Sequence, residues 1–129
     1  MGVSQRIAMK KGLDEIAKEN GRYQSAAFKF VYEGLGYTVQ NVTQESRHVS
    51  GQTLCEGLRR MALDKYGRLA LMVLTAWGLK TTRDFGEIVY ILIENEWMSA
   101  QPTDTIDDFN DVYDFQATFK AQFVFEDHS

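Results

Sequence analysis

The sequence has one cysteine, one proline and two histidines, and each scarcity excludes a class of protein. A single cysteine closes no internal disulfide and builds no cysteine-rich metal site, so a reducing, cytoplasmic setting is expected. One proline beside ten glycines argues against a long linker or a disordered chain. The longest unbroken apolar runs, "LALMVL" and "IVYILI", have six residues each, far short of the ~20 that a membrane span requires, so no membrane association is expected. The opening "MGVSQRIAMKKGLDEIAKENG" carries lysines and glutamates where a signal peptide needs an apolar run. Positive charge is not in excess: 14 Lys and Arg stand against 18 Asp and Glu, a net charge of −4. That balance gives no general attraction to nucleic acid. No P-loop, dinucleotide fingerprint or GxSxG elbow occurs, and no cofactor is expected.

What remains is an ordinary globular composition, 44% hydrophobic over 129 residues, and helical periodicity along most of it. Met9, Leu13, Ile16 and Ala17 share a face, with Asn20-Gly21 as a stop. "RYQSAAFKFVYEGLG" repeats the pattern through Tyr23, Ala27, Phe30 and Val31, with Gly34 and Gly36 expected to end it. Ser50 stands where an N-cap belongs, and Leu54, Cys55, Leu58, Met61 and Ala62 then point inward until Gly67. "RLALMVLTAWG" is apolar nearly all round, as a buried helix should be. Thr81 or Thr82 caps a further helix with Phe85, Ile88, Val89, Leu92, Ile93 and Trp97 on one stripe. "IDDFNDVYDF" begins with aspartates suited to a helix N-terminus. From Tyr113 to Phe125 every odd position is apolar, which predicts a strand over Thr118–Phe125, with "YTVQNV" as its internal partner. The fold expected is mainly α (α+β): one compact domain over residues 1–129, with five or six helices and a small β element that includes the C-terminal strand.

No catalytic set emerges. Cys55 lies on the apolar stripe of its helix while His48 precedes the cap, so their proximity in sequence does not imply contact. A divalent metal site wants three or four ligands and only one internal histidine exists, so no metal is expected. "DDFND" (Asp107–Asp111) spells a magnesium-binding DDxxD, but capping and dipole compensation account for its aspartates. "DFG" at Asp84–Gly86 lacks every companion kinase motif. "LTAWGLKTTRDFGEIVYIL" has the outline of a helix-turn-helix, yet Asp84, Glu87 and Glu94 give its second helix the wrong sign for a polyanion. Arg59, Arg60, Lys65 and Arg68 form a better basic cluster, though a solvated helix face explains them as well.

The segments "RY…AAFKFVYEGLGYT", "RHVSGQTLCEGLRRMAL", "YGRLALMVLTAWG", "TTRDFGEIVYILIE" and "DDFNDVYDF" together resemble a small uncharacterised bacterial family, best known from the planctomycete and verrucomicrobial group. The resemblance runs in order from Arg22 to about Phe115 and brings no activity with it. It implies that Arg47, His48, Ser50, Gly51, Trp77, Gly78, Asp84, Phe85, Gly86, Asp108 and Phe109 sit in the family's signature segments. Several of these have an evident role as cap, stop or core. Arg47 and His48 do not. With Arg59, Arg60, Asp84 and Asp108 they make up the candidate surface or binding residues.

The preferred expectation is a non-enzymatic binding or protein-interaction module with an unidentified protein partner. A small enzyme or ligand-binding protein with a site around Arg47 and His48 comes second, and a nucleic-acid binder through Arg59, Arg60 and Arg68 third. The apolar C-terminal segment, with Phe119, Phe123 and Phe125, tips the balance toward a homodimer that pairs strand edges.

Overall fold

Leu13, Ile16 and Ala17 recur at helical spacing, and they form the inner face of α1 (Leu13–Asn20). In the computed structural model, which describes residues 2–5, 11–43 and 47–120, Gly21 ends α1 in the left-handed conformation at φ 75°. The next helix, α2 (Ser25–Thr38), buries Ala27, Phe28, Phe30, Val31 and Leu35. Gly34 and Gly36 do not stop it, contrary to the expectation from sequence. Neither adopts a positive φ, so the chain runs through both and continues as a π-helical turn, Val39–Thr43. Gly34 serves packing: a Cβ there would collide with Cδ2 of Leu58 on the facing helix.

That facing helix is α3 (Gly51–Tyr66). Ser50 caps it, its hydroxyl accepting the Thr53 N–H at 3.1 Å. Leu54, Cys55, Leu58, Met61 and Ala62 are all buried, as their spacing predicts. Where α2 and α3 cross, a second glycine, Gly57, faces Thr38 with no room for a Cβ. A 3-10 turn, Gly67–Leu69, leads to α4 (Ala70–Ala76). This helix is not buried all round, as its composition predicted. It covers α3 on one side with Ala70 and Leu74, and leaves Met72 62% and Leu69 48% exposed. A seven-residue helix laid on the surface has one inner face whatever its outer face contains.

After Gly78, at φ 97°, comes α5 (Thr82–Glu94), whose first turn is closed by a capping box of Thr81 and Asp84. Phe85, Ile88, Val89 and Leu92 are buried. Among the described residues no helix is long and apolar enough to cross a membrane.

The fold is thus mainly helical with a small antiparallel sheet, but the strands are not the expected ones. β1 (Ser4–Gln5) pairs with β2 (Met98–Ser99), Ser4 opposite Ser99 and Gln5 opposite Met98. Val3 and Val49 exchange backbone hydrogen bonds of 2.8 and 3.1 Å just before the α3 cap. The "YTVQNV" stretch is helical, divided between α2 and the π turn. Of the strand expected at Thr118–Phe125, Thr118–Lys120 belongs to a second π-helical turn, Gln116–Lys120, and residues 121–125 lie outside the described residues. The alternation misleads because Phe115 and Phe119 are also four apart. Both are buried, with their rings edge-to-face at 5.2 Å, while Ala117 between them is exposed, which a strand does not allow. "IDDFNDVYDF" likewise holds only a 3-10 turn, Ile106–Phe109.

Phe109 explains two of the glycines, Gly51 and Gly86. A Cβ on Gly86 would stand 2.8 Å from Cβ and Cγ of Phe109, and one on Gly51 3.0 Å from its ring. The "HVSG", "DFG" and "DDF" segments therefore meet around one buried phenylalanine.

Candidate functional site

The Val3–Val49 pairing holds the Arg47-His48 segment against β1, and α2 passes beneath both. The result is a cleft of about 460 Å³ into which Arg47 and His48 face together with Ser4 and Gln5. Tyr32, Leu35 and Gly36 of α2 and Val39 of the π turn supply the remaining described walls. Its size is in the range of small-molecule sites, roughly 300–1,000 Å³.

Each wall is fixed by a specific contact. The Gln5 amide donates to the Tyr32 carbonyl at 2.8 Å, and the hydroxyls of Ser4 and Ser99 are hydrogen-bonded at 3.0 Å. The Tyr32 ring meets Trp97 edge-on at 5.3 Å, and the Trp97 indole N–H donates to the Lys11 carbonyl at 2.8 Å. Leu35 is buried at the base, while Arg47 and His48 are exposed. No carboxylate is among the described residues of the lining. Arg47 makes no hydrogen bond or ion pair with a described residue, so its guanidinium is a cation directed at solvent and cleft.

The other candidate residues are engaged elsewhere. Asp84, expected at the surface, is buried because its carboxylate is consumed by the helix cap. It accepts the N–H groups of Lys80 at 2.8 Å and Thr81 at 3.1 Å, the Tyr23 hydroxyl at 2.6 Å and the Arg22 guanidinium at 3.3 Å. Burial, and secondly the Asp84 carboxylate, push the Tyr23 phenol well above its ordinary range. Asp108 is half-buried and accepts the Thr105 N–H at 3.2 Å, capping the 3-10 turn. Asp107 instead turns to Arg83 at 2.9 Å. The "DDFND" aspartates therefore do not converge, and among the described residues no group of three His, Cys, Asp or Glu side chains is placed to hold a metal.

Arg59 and Arg60 both grip Glu56. Arg59 donates to it twice, at 2.9 and 2.6 Å, and Arg60 once, at 3.2 Å. These bonds, chiefly that from Arg59, hold the Glu56 carboxyl below its usual range. Glu56 offsets one of the two positive charges, so Arg59 and Arg60 do not form an unopposed basic pair. Cys55 is fully buried, and burial pushes its thiol up to about 12, so near neutral pH it is no thiolate nucleophile. With His48 an exposed residue and the Cys55 thiol in the core, the two form no dyad.

Sequence reasoning singled out Arg47 and His48 but not Ser4, Gln5, Tyr32, Gly36 or Val39. Only Gly36, a glycine inside a helix, offered a local signal. Comparison of the chain with protein-family models, with curated proteins and with solved structures finds no match.

Proposed function

We propose that the protein is a non-enzymatic binding module whose ligand occupies the Arg47-His48 cleft. The observation that carries this reading is the convergence of three separate parts of the chain on one concave surface. One of its residues, Arg47, makes no hydrogen bond or ion pair with a described residue, so its guanidinium is available to a ligand in the cleft. Support for the non-catalytic part comes from the groups that chemistry would draw on: the thiol is in the core, Asp84 is saturated by donors, and Glu56 is held by two arginines. The single buried thiol also favours a reducing, cytoplasmic compartment.

The test is a fragment screen followed by amide shifts in a 15N-labelled sample. Binders should perturb Ser4, Gln5, Gly36, Val39 and His48, and Val39→Trp, which fills the cleft, should abolish the response while the melting curve stays cooperative. Fragments that map elsewhere, or that bind Val39→Trp unchanged, reject the assignment.

A further inference from the structure

Resting on the cleft as the binding site, we infer that its ligand is a small carboxylic acid with a short apolar body, bound as the anion, and that the missing side chain at Gly36 leaves room for it.

The glycine is the more telling observation. A glycine in a helix interior costs about 1 kcal/mol relative to alanine, so it calls for a reason. Gly34, Gly51, Gly57 and Gly86 all have one, since a Cβ on any of them would collide with a neighbour. Gly36 has none in the fold. Its φ is not positive, and a Cβ there would meet nothing closer than the Gln5 amide nitrogen at 3.5 Å, an ordinary contact. The space a side chain would enter lies between α2 and Gln5, which is the cleft itself.

Charge and polarity then select the ligand class. Arg47 is the arginine of the described lining, which holds no lysine and no acidic residue. A guanidinium presents a planar fork that matches a carboxylate in a two-point bond. One such group balances one negative charge, which favours a monoanion. Leu35 and Val39 offer an apolar wall for the remainder of the molecule, and Ser4 and Gln5 offer polar atoms at its edge.

Hexanoate and hexanamide, matched in shape and differing in charge, are the probes, titrated into the full chain and followed by amide shifts of the cleft residues. Hexanoate should bind at least about tenfold more tightly than hexanamide, the difference expected of one charge-assisted contact. Arg47→Gln should bring the two affinities together. Gly36→Ala should raise the melting temperature while weakening hexanoate, opposite directions that a purely structural glycine does not produce. Equal binding of the two probes, no shift with either, or a preference that survives Arg47→Gln overturns the anion assignment. Gly36→Ala lowering the melting temperature overturns the role given to the glycine. Equal binding within the cleft leaves the binding-module reading standing, and the fragment screen decides that separately.

Discussion

The Tyr23 hydroxyl donates a 2.6 Å hydrogen bond to Asp84, tying the residues before α2 to the first turn of α5. The same carboxylate caps α5, so one side chain fixes both the start of that helix and its position against α2. Removing it leaves a buried phenol and two backbone N–H groups without their acceptor. Asp84→Ala should therefore cost about 3 kcal/mol, and Tyr23→Phe, which deletes one bond and keeps the ring, about 1 kcal/mol. Urea unfolding measures both, and an Asp84→Ala cost no larger than that of Tyr23→Phe rejects the carboxylate as the organising group.

Alkaline pH should unfold the protein through its buried acids. Burial raises the Cys55 thiol from 9.0 to about 12, and raises the Tyr23 and Tyr113 phenols above 10.0. A group whose pKa is higher in the folded state holds its proton more tightly there than when unfolded. Its contribution to stability is complete below the unfolded value and is lost as pH rises toward the folded one. The thiol's share should fall away from pH 9.0 to about 12, and that of the phenols should begin to fall above 10.0. Each group removes at most about 1.4 kcal/mol per pH unit. Unfolding free energies from pH 8 upward should show this decline, and Cys55→Ala should flatten its first part. An unchanged slope in that variant shows the thiol is not the group responsible.

Much of this architecture was legible in local sequence, and the reasons differ from place to place. Ser50 announced the start of α3 because an N-cap is a contact across three residues, and Gly21, Gly67 and Gly78 marked ends because a positive φ is a property of one residue. Gly34 and Gly36 gave the same local sign for a different cause, close packing in one case and an open cleft in the other. Phe115 and Phe119 satisfy both a two-residue and a four-residue period, and only their packing decides between them. Arg47 and His48 stood out because they had no local role. The opposing wall of their cleft did not, because Ser4 and Gln5 reach it through pairing with residues some 95 positions away.

Phe109 should be among the most costly residues to truncate. Its ring is 1% exposed and is enclosed by Gly51 and Gly86, positions with no side chain to move into the space it leaves. Phe109→Ala should cost about 3–5 kcal/mol, the usual figure for a phenylalanine lost from a core. The carbonyl of the same residue accepts the Thr82 hydroxyl at 2.6 Å, so the backbone should stay in place and the cavity should persist. Chemical denaturation of Phe109→Ala beside Phe119→Ala, which removes another fully buried ring, gives the comparison, and a cost below about 1.5 kcal/mol contradicts the enclosure.

The crossing of α2 and α3 yields a sharper test because its two partners are complementary in size. At Gly34 the nearest atoms to a Cβ would be Cδ2 and Cγ of Leu58, followed by Met61 at an ordinary 3.5 Å. Leu58 itself is fully buried. Gly34→Ala alone should force the helices apart and cost about 1–3 kcal/mol, in spite of alanine's better helix propensity. Leu58→Ala alone should leave a cavity and cost about 2–5 kcal/mol. In the double variant the new methyl enters space the leucine has vacated, so the clash disappears and part of the cavity is filled. The combined cost should then be smaller than the sum of the single costs by at least about 1 kcal/mol, a coupling typical of residues in direct contact. A urea-unfolding cycle of the four proteins reads this directly. Additive costs would falsify the close approach of α2 and α3 at this point, since two substitutions that share no space have no means of compensating each other.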